Sequence, residues 1–175
     1  MGCSQIALKA IGVRCAISWF AQFQRYFGFP NKATQPPPDF EDEATLYSLS
    51  SEYLEAAKVL YNTPPTRIGY TLVTYYLAGH AAELMLKSFL FKHGETIEAL
   101  AKRYGHNLKL LVKRARLKGL PVSVSTEHIQ SLAKTYAGKH TEYRRKYQLK
   151  LPPLNFLLLE IESLQSHVFN HVAEF

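Results

Sequence analysis

Seven histidines, eight arginines and eleven tyrosines supply most of the chemistry open to this chain. Their densest grouping is His140-Thr141-Glu142-Tyr143-Arg144-Arg145-Lys146-Tyr147, in which cations alternate with aromatics. Arg and Lys bind phosphate oxygens, and unstacked bases lie on Tyr rings or guanidinium planes. Tyr143, Arg144, Arg145, Lys146 and Tyr147 therefore predict a site for single-stranded RNA or a nucleotide. The same run also reads as tyrosines packed inward beneath cations whose stems cover them. Lys109, Lys113 and Arg116 share a helical face and extend the patch, with Lys102 and Arg103 close by in sequence; a charged stripe of this kind is also the ordinary solvated face of a helix. His80 and Glu83 stand one helical turn apart in an otherwise apolar stretch. A His fixed by a carboxylate acts as a base or a ligand, and a buried pair that satisfies itself fits the same spacing. His167 and His171 are four apart, a spacing that can hold zinc, but the sequence offers no third ligand, so neither a metal site nor a cofactor is expected. His106 reads as the cap of a helix. No Gly-rich phosphate loop, nucleophile elbow or paired-Cys motif is present.

These residues have to be positioned by a folded domain, and the composition supports one. The chain has 175 residues, 47% of them hydrophobic and 13% aromatic, enough for one core and far from the signature of disorder. Its net charge of +7 is unevenly spread. Residues 65–150 hold 16 Lys and Arg against 5 Asp and Glu, and a concentrated positive field favours anionic partners. Cys3 and Cys15 both precede the expected core, which excludes a disulfide framework there and fits a reducing, cytoplasmic setting. The apolar stretch from Ile6 to Phe20 is interrupted by Lys9 and Arg14, too short and too charged to span a bilayer. Residues 1–37 read as a basic extension ending in a Pro-rich linker, and residues 38–175 as the folded domain.

The spacing of apolar residues within that domain predicts about five helices and no strand. Acidic residues around Asp42 mark the start of a first helix carrying Leu46, Leu49, Tyr53, Ala56, Ala57 and Leu60. Thr66 is expected to cap a second, from Arg67 to about His93, with Gly94 as its stop. No Asp, Glu, Lys or Arg occurs from Ile68 to Ala82, so this helix should be buried, with Gly79 and its alanine neighbours admitting the backbone of another helix. Glu95 to Tyr104 predicts a short helix or turn. A third long helix opens near Asn107, and a fourth is expected to be capped by Ser125 and ended by Gly138. The last begins at Pro152 or Pro153 and runs almost to the C-terminus.

Three segments together resemble the HEPN superfamily, the nucleotide-binding helical domains of higher eukaryotes and prokaryotes. Tyr53-Leu54-Glu55-Ala56-Ala57-Lys58-Val59-Leu60-Tyr61 resembles its first bundle helix. Gly79-His80-Ala81-Ala82-Glu83-Leu84-Met85-Leu86-Lys87-Ser88-Phe89-Leu90, followed by His93-Gly94, resembles its second, and Gly105-His106-Asn107-Leu108 the opening of its third. The resemblance implies an all-α, up-and-down bundle of four to five helices, commonly a homodimer, in a superfamily of metal-independent RNases, nucleotidyltransferase partners and noncatalytic RNA-binding modules. Its nucleases carry Arg, four to six residues, then His. No arginine here precedes a histidine by that interval. The expectation is a noncatalytic module that binds RNA or a nucleotide or acts with a nucleotidyltransferase. The alternatives are a protein-interaction module and a divergent RNase using His140 with Arg144 or Arg145.

Overall fold

The computed structural model describes residues 42–66, 69–142 and 149–172, all within the unit Glu41–Phe175. The basic extension, the Pro-rich linker, Arg67 and the run Tyr143 to Tyr147 lie outside the described residues. Those described form helices and turns, with no strand among them.

Helix α1, Glu43–Asn62, begins where the Asp42 carboxylate accepts the Thr45 N–H at 2.7 Å, satisfying one of the amide donors that a helix start leaves over. It ends at Thr63, ahead of Pro64, whose ring disfavours helical backbone in the residue before it. Its buried stripe is Leu46, Ser50, Leu54 and Ala57. That stripe is rotated from the expected one, leaving Leu49 40% exposed and Ala56 at the surface.

Helix α2, Thr71–Lys92, is the spine of the bundle. It starts four residues later than expected, at Tyr70, with no side-chain cap, so Thr66 does not cap it. Gly69 disfavours helix in this stretch. From Ala81 to Leu90 every residue except Lys87 is buried, while Val73 near its start is 50% exposed. Gly94, at φ +86°, supplies the left-handed residue that ends the segment.

The chain then climbs back along α2 through a π-helical turn, Ala99–Tyr104, and enters α3, Leu108–Leu117. Asn107 caps α3, its side chain accepting the Leu110 N–H at 3.1 Å; His106, the expected cap, is used elsewhere. Helix α4, Glu127–Ala137, ends at Gly138 as expected, but its start is not capped by Ser125. Instead Glu160, 32 residues away on α5, accepts the N–H groups of His128 at 2.9 Å and Ile129 at 3.1 Å, while Ser125 donates its hydroxyl to the same carboxylate. Helix α5 spans Leu154–Val172.

Pairings across the bundle give the directions. Ser50 Oγ donates to Ala81 O and Ser88 Oγ to Glu43 O, so α1 and α2 are antiparallel. Lys58 meets Glu162 and Gln165 meets Ser51, so α1 and α5 are antiparallel too. The Tyr75 hydroxyl donates to Pro152 O near one end of α2 and His93 lies against His171 near the other, so α2 and α5 run the same way. Phe89, Met85, Leu86, Leu90, Leu111, Leu132, Leu157, Ile161 and Leu164 fill the centre at 1% exposure or less. Each such side chain contributes roughly 1.5–3 kcal/mol by leaving water.

Gly79 admits a side chain rather than a helix backbone. A Cβ placed there would stand 2.6 Å from Tyr136 Cδ2 and 3.3 Å from Leu132 Cδ2. The missing side chain is what lets the Tyr136 ring of α4 lie against α2.

Candidate functional site

The one charged residue buried on α2 is Glu83, at 1% exposure. A carboxylate there has to be hydrogen-bonded or neutralised. Three donors meet it: Lys87 Nζ at 2.6 Å on Oε1, and His106 Nδ1 and the Tyr136 hydroxyl, each at 2.8 Å, on Oε2. Lys87 comes from the next turn of the same helix, His106 from the loop before α3, and Tyr136 from α4 through the notch at Gly79. Burial alone would raise the Glu83 carboxyl, but the hydrogen bond and charge of Lys87, with the hydrogen bonds from His106 and the Tyr136 hydroxyl, outweigh it and hold the group ionised below the ordinary carboxylate range. Burial and the same carboxylate push the Tyr136 hydroxyl far up, so it stays protonated.

Proton accounting fixes the histidines. The single Tyr136 proton goes to Glu83, so the phenolic oxygen accepts from His80 Nδ1, 3.0 Å away. His80 itself stands 4.0 Å from Glu83 Oε2, beyond hydrogen-bond reach. The two are therefore not a self-satisfying pair but the ends of a relay through Tyr136. His106 likewise gives its Nδ1 proton to Glu83, and its side chain is 58% exposed. Burial, with the charges of His106 and Lys87, lowers the His80 pKa against the pull of Glu83. Tyr76 stacks on the His80 ring and Tyr53 meets it edge-on, with centroids 5.9 and 4.5 Å away. This arrangement can hold and orient imidazoles, and among the described residues no Ser, Thr or Cys nucleophile takes part in it. His106, Lys87 and Tyr136 were not singled out from the sequence as partners of Glu83. The only local signal was the four-residue spacing of Glu83 and Lys87.

The cationic face of α3 divides in two. Lys109 and Lys113 are exposed and border a groove of about 610 Å³ between α3 and α4, floored by Leu110 and Leu117 and reaching Gln130 on α4. Arg116 lines the same groove, yet its guanidinium is engaged by the following loop: it donates to Leu120 O, Pro121 O, Val124 O and Thr126 Oγ1. Of the three cations expected on that face, Lys109 and Lys113 are thus the ones left to meet an anion. Arg114 is held by Glu95 at 2.7 Å.

His140 closes the end of α4, its N–H donating to Thr135 O at 3.0 Å while its ring lies against Gly138. Arg144 and Arg145, its expected companions, lie outside the described residues, as do Tyr143, Lys146 and Tyr147.

A second histidine group occupies the far end of the bundle. His167 and His171 have ring centroids 4.8 Å apart, and His93, at the end of α2, is 5.6 Å from His171. Among the described residues, no three His, Cys, Asp or Glu side chains are arranged to hold a metal ion as they stand. No described helix is long and apolar enough to cross a membrane.

Fold and site together define an all-α bundle organised around a buried, fully ligated carboxylate. No protein-family model matches the chain, and neither a curated protein nor a solved structure matches it.

Proposed function

We propose that this chain is a noncatalytic, HEPN-like binding module that takes an anionic partner, RNA or a nucleotide, along the face of α3. The observation that carries the reading is the groove bordered by Lys109 and Lys113, whose ammonium groups have no carboxylate within salt-bridge distance among the described residues, unlike Lys58, Lys87 and Lys92. Support for the family comes from the meeting of two of the three resembling segments at one bond, Glu83 to His106. The absence of the Arg-to-His interval supports a noncatalytic role. Homodimerisation and work beside a nucleotidyltransferase belong to the same proposal.

Binding of short single-stranded RNAs measured across a salt series tests it. Affinity should fall steeply with salt, and the double substitution Lys109→Glu with Lys113→Glu should weaken binding and reduce the logarithmic salt slope by about 1.4, two phosphates' worth. The RNA should be recovered intact. Absence of binding at low salt would sink the reading.

A second reading has its own observation. The floor of the groove is aliphatic, with Leu110 at 44% and Leu117 at 70% exposure, and among the described residues that line it there is no aromatic ring for a base to stack on. An acidic, amphipathic protein segment fits such a floor and rim. Binding to acidic peptides with no binding to RNA would select this reading over the first.

A further inference from the structure

We infer that the groove between α3 and α4 reads guanine, with phosphate on the α3 wall and the Watson–Crick edge of the base on acceptors of the α4 wall. The inference rests on the proposal that this groove takes RNA or a nucleotide, and it names the base.

The groove does not stop at the lysines. A second hollow of about 560 Å³ continues it, and Lys109, Arg116, Thr126 and Gln130 line both. Where the first part is floored by leucines, the second holds Glu127, Gln130 and Ser131 of α4. The walls are opposite in sign, with Lys109 and Lys113 on α3 and Glu127 on α4. A ligand that is negative throughout, an acidic peptide included, is attracted by one wall and repelled by the other. One that suits both carries an anion at one end and hydrogen-bond donors at the other, as a nucleotide does.

Hydrogen-bond accounting leaves acceptors on the α4 side. Glu127 is exposed and makes no salt bridge or hydrogen bond to a described side chain. Nor does the start of α4 call on it as a cap, because Glu160 takes the N–H groups of His128 and Ile129, and the Gln130 N–H goes to Thr126 O. The Gln130 amide N–H₂ donates to Thr126 Oγ1 at 3.2 Å, which leaves its Oε1 as a further acceptor. Arg116, the strongest donor between the two hollows, is engaged by the loop that follows α3.

Guanine is the RNA base that matches such a wall. Its N1–H and N2–H₂ stand side by side, and one carboxylate accepts both. Adenine and cytosine set an amino group next to a ring nitrogen whose lone pair a carboxylate repels, and uracil sets its N3–H between two carbonyls. Val122, 88% exposed in the same hollow, offers apolar contact to the face of the base, so recognition here works through the edge rather than through stacking.

The test titrates the full-length chain with short oligouridines carrying a single guanosine, inosine or adenosine, followed by fluorescence anisotropy over a salt series. The guanosine oligomer should bind roughly 5–150-fold tighter than the adenosine one, the discrimination of one good bidentate contact, and inosine, which lacks the N2 amine, should fall between them. Glu127→Ala should erase the preference while leaving the logarithmic salt slope, set by Lys109 and Lys113, unchanged. A Glu127 that acted only through its charge would give a different result, with every oligomer bound more tightly and the ratios between them kept. Competition by guanosine and adenosine monophosphates then separates the two sources of the base. Displacement at concentrations near the oligomer's own Kd assigns the site to a free nucleotide, and displacement only far above it assigns the site to RNA; in both cases the guanosine form should compete better. Salt-dependent binding without a guanosine preference, a preference that survives Glu127→Ala, or equal competition by the two monophosphates overturns the inference and leaves the anion-binding reading standing. No binding of any oligomer at low salt overturns both. Melting of the Glu127→Ala chain verifies its fold, and the inosine comparison needs no substitution.

Discussion

Tyr136 is the residue on which the polar interior turns. Its hydroxyl gives a proton to Glu83 and takes one from His80, so removing it leaves a buried carboxylate one donor short and an imidazole without an acceptor. Tyr136→Phe should destabilise the domain by about 1–3 kcal/mol, seen as a lower urea midpoint with an unchanged slope. A midpoint equal to that of the unsubstituted chain would mean that the relay contributes nothing to stability. Of this arrangement the sequence displays only His80 and Glu83 at the end of a stretch without other charge, with Lys87 four residues further on. Nothing in the local pattern pairs Glu83 with a histidine 23 residues on or a tyrosine 53 residues on. The notch at Gly79 is likewise visible as a glycine but not as the seat of a particular ring. The assignment of Arg116 to a binding face followed from its position on the helix. The carbonyls that occupy it belong to a loop whose path the spacing does not reveal.

At the level of single elements, α4 shows how a helix start can be completed from elsewhere. The Glu160 carboxylate takes four hydrogen bonds, from Ser125 Oγ, His128 N, His128 Nδ1 and Ile129 N, at 2.6 to 3.1 Å. Burial would raise its pKa, and these donors more than reverse the effect. Glutamine offers them only one oxygen and turns an amide N–H₂ towards the rest. Glu160→Gln should therefore cost about 1.5–3 kcal/mol, with faster hydrogen exchange at the amides of His128 and Ile129 than in the rest of α4. Exchange that rises equally in every helix would show that the carboxylate is not acting as this cap. The helices themselves were legible because their signals are local: Asp42, Asn107, Gly94 and Gly138 all end or begin helices as their chemistry requires. The facing of α1 was less so. Leu49 and Ala56 satisfy a helical period as well as Leu54 and Ala57 do, and only packing against α2 selects between them. For α4, Ser125 had the right type and place for a cap, and the longer-range carboxylate took its hydroxyl instead.

For the whole molecule, the shifted groups set the response to acid. The pKa values of His80 and His167 are lowered in the folded state. The unfolded chain takes up their protons first, so stability present above about pH 6.5 falls as the pH drops below it. The lowered carboxyls of Glu83 and Glu160 act in the same direction in a second window, beginning near about pH 4.3 and continuing down through their folded values. Melting temperatures recorded from pH 8 to pH 3 should decline in two stages, and His167→Asn should flatten the upper one. A melting temperature constant between pH 8 and pH 5 would contradict this.

The directions of the helices carry one more consequence. Glu43 lies against Ser88 and Lys92, and His171 lies against His93, so the start of α1 and the end of α5 share the pole of the bundle where α2 finishes. A short tether between them could make the helical part of the chain cyclic without turning any helix around. The exposed Pro64-Pro65 turn at the other pole is then a natural place to cut the ring, giving the same packing in a new chain order.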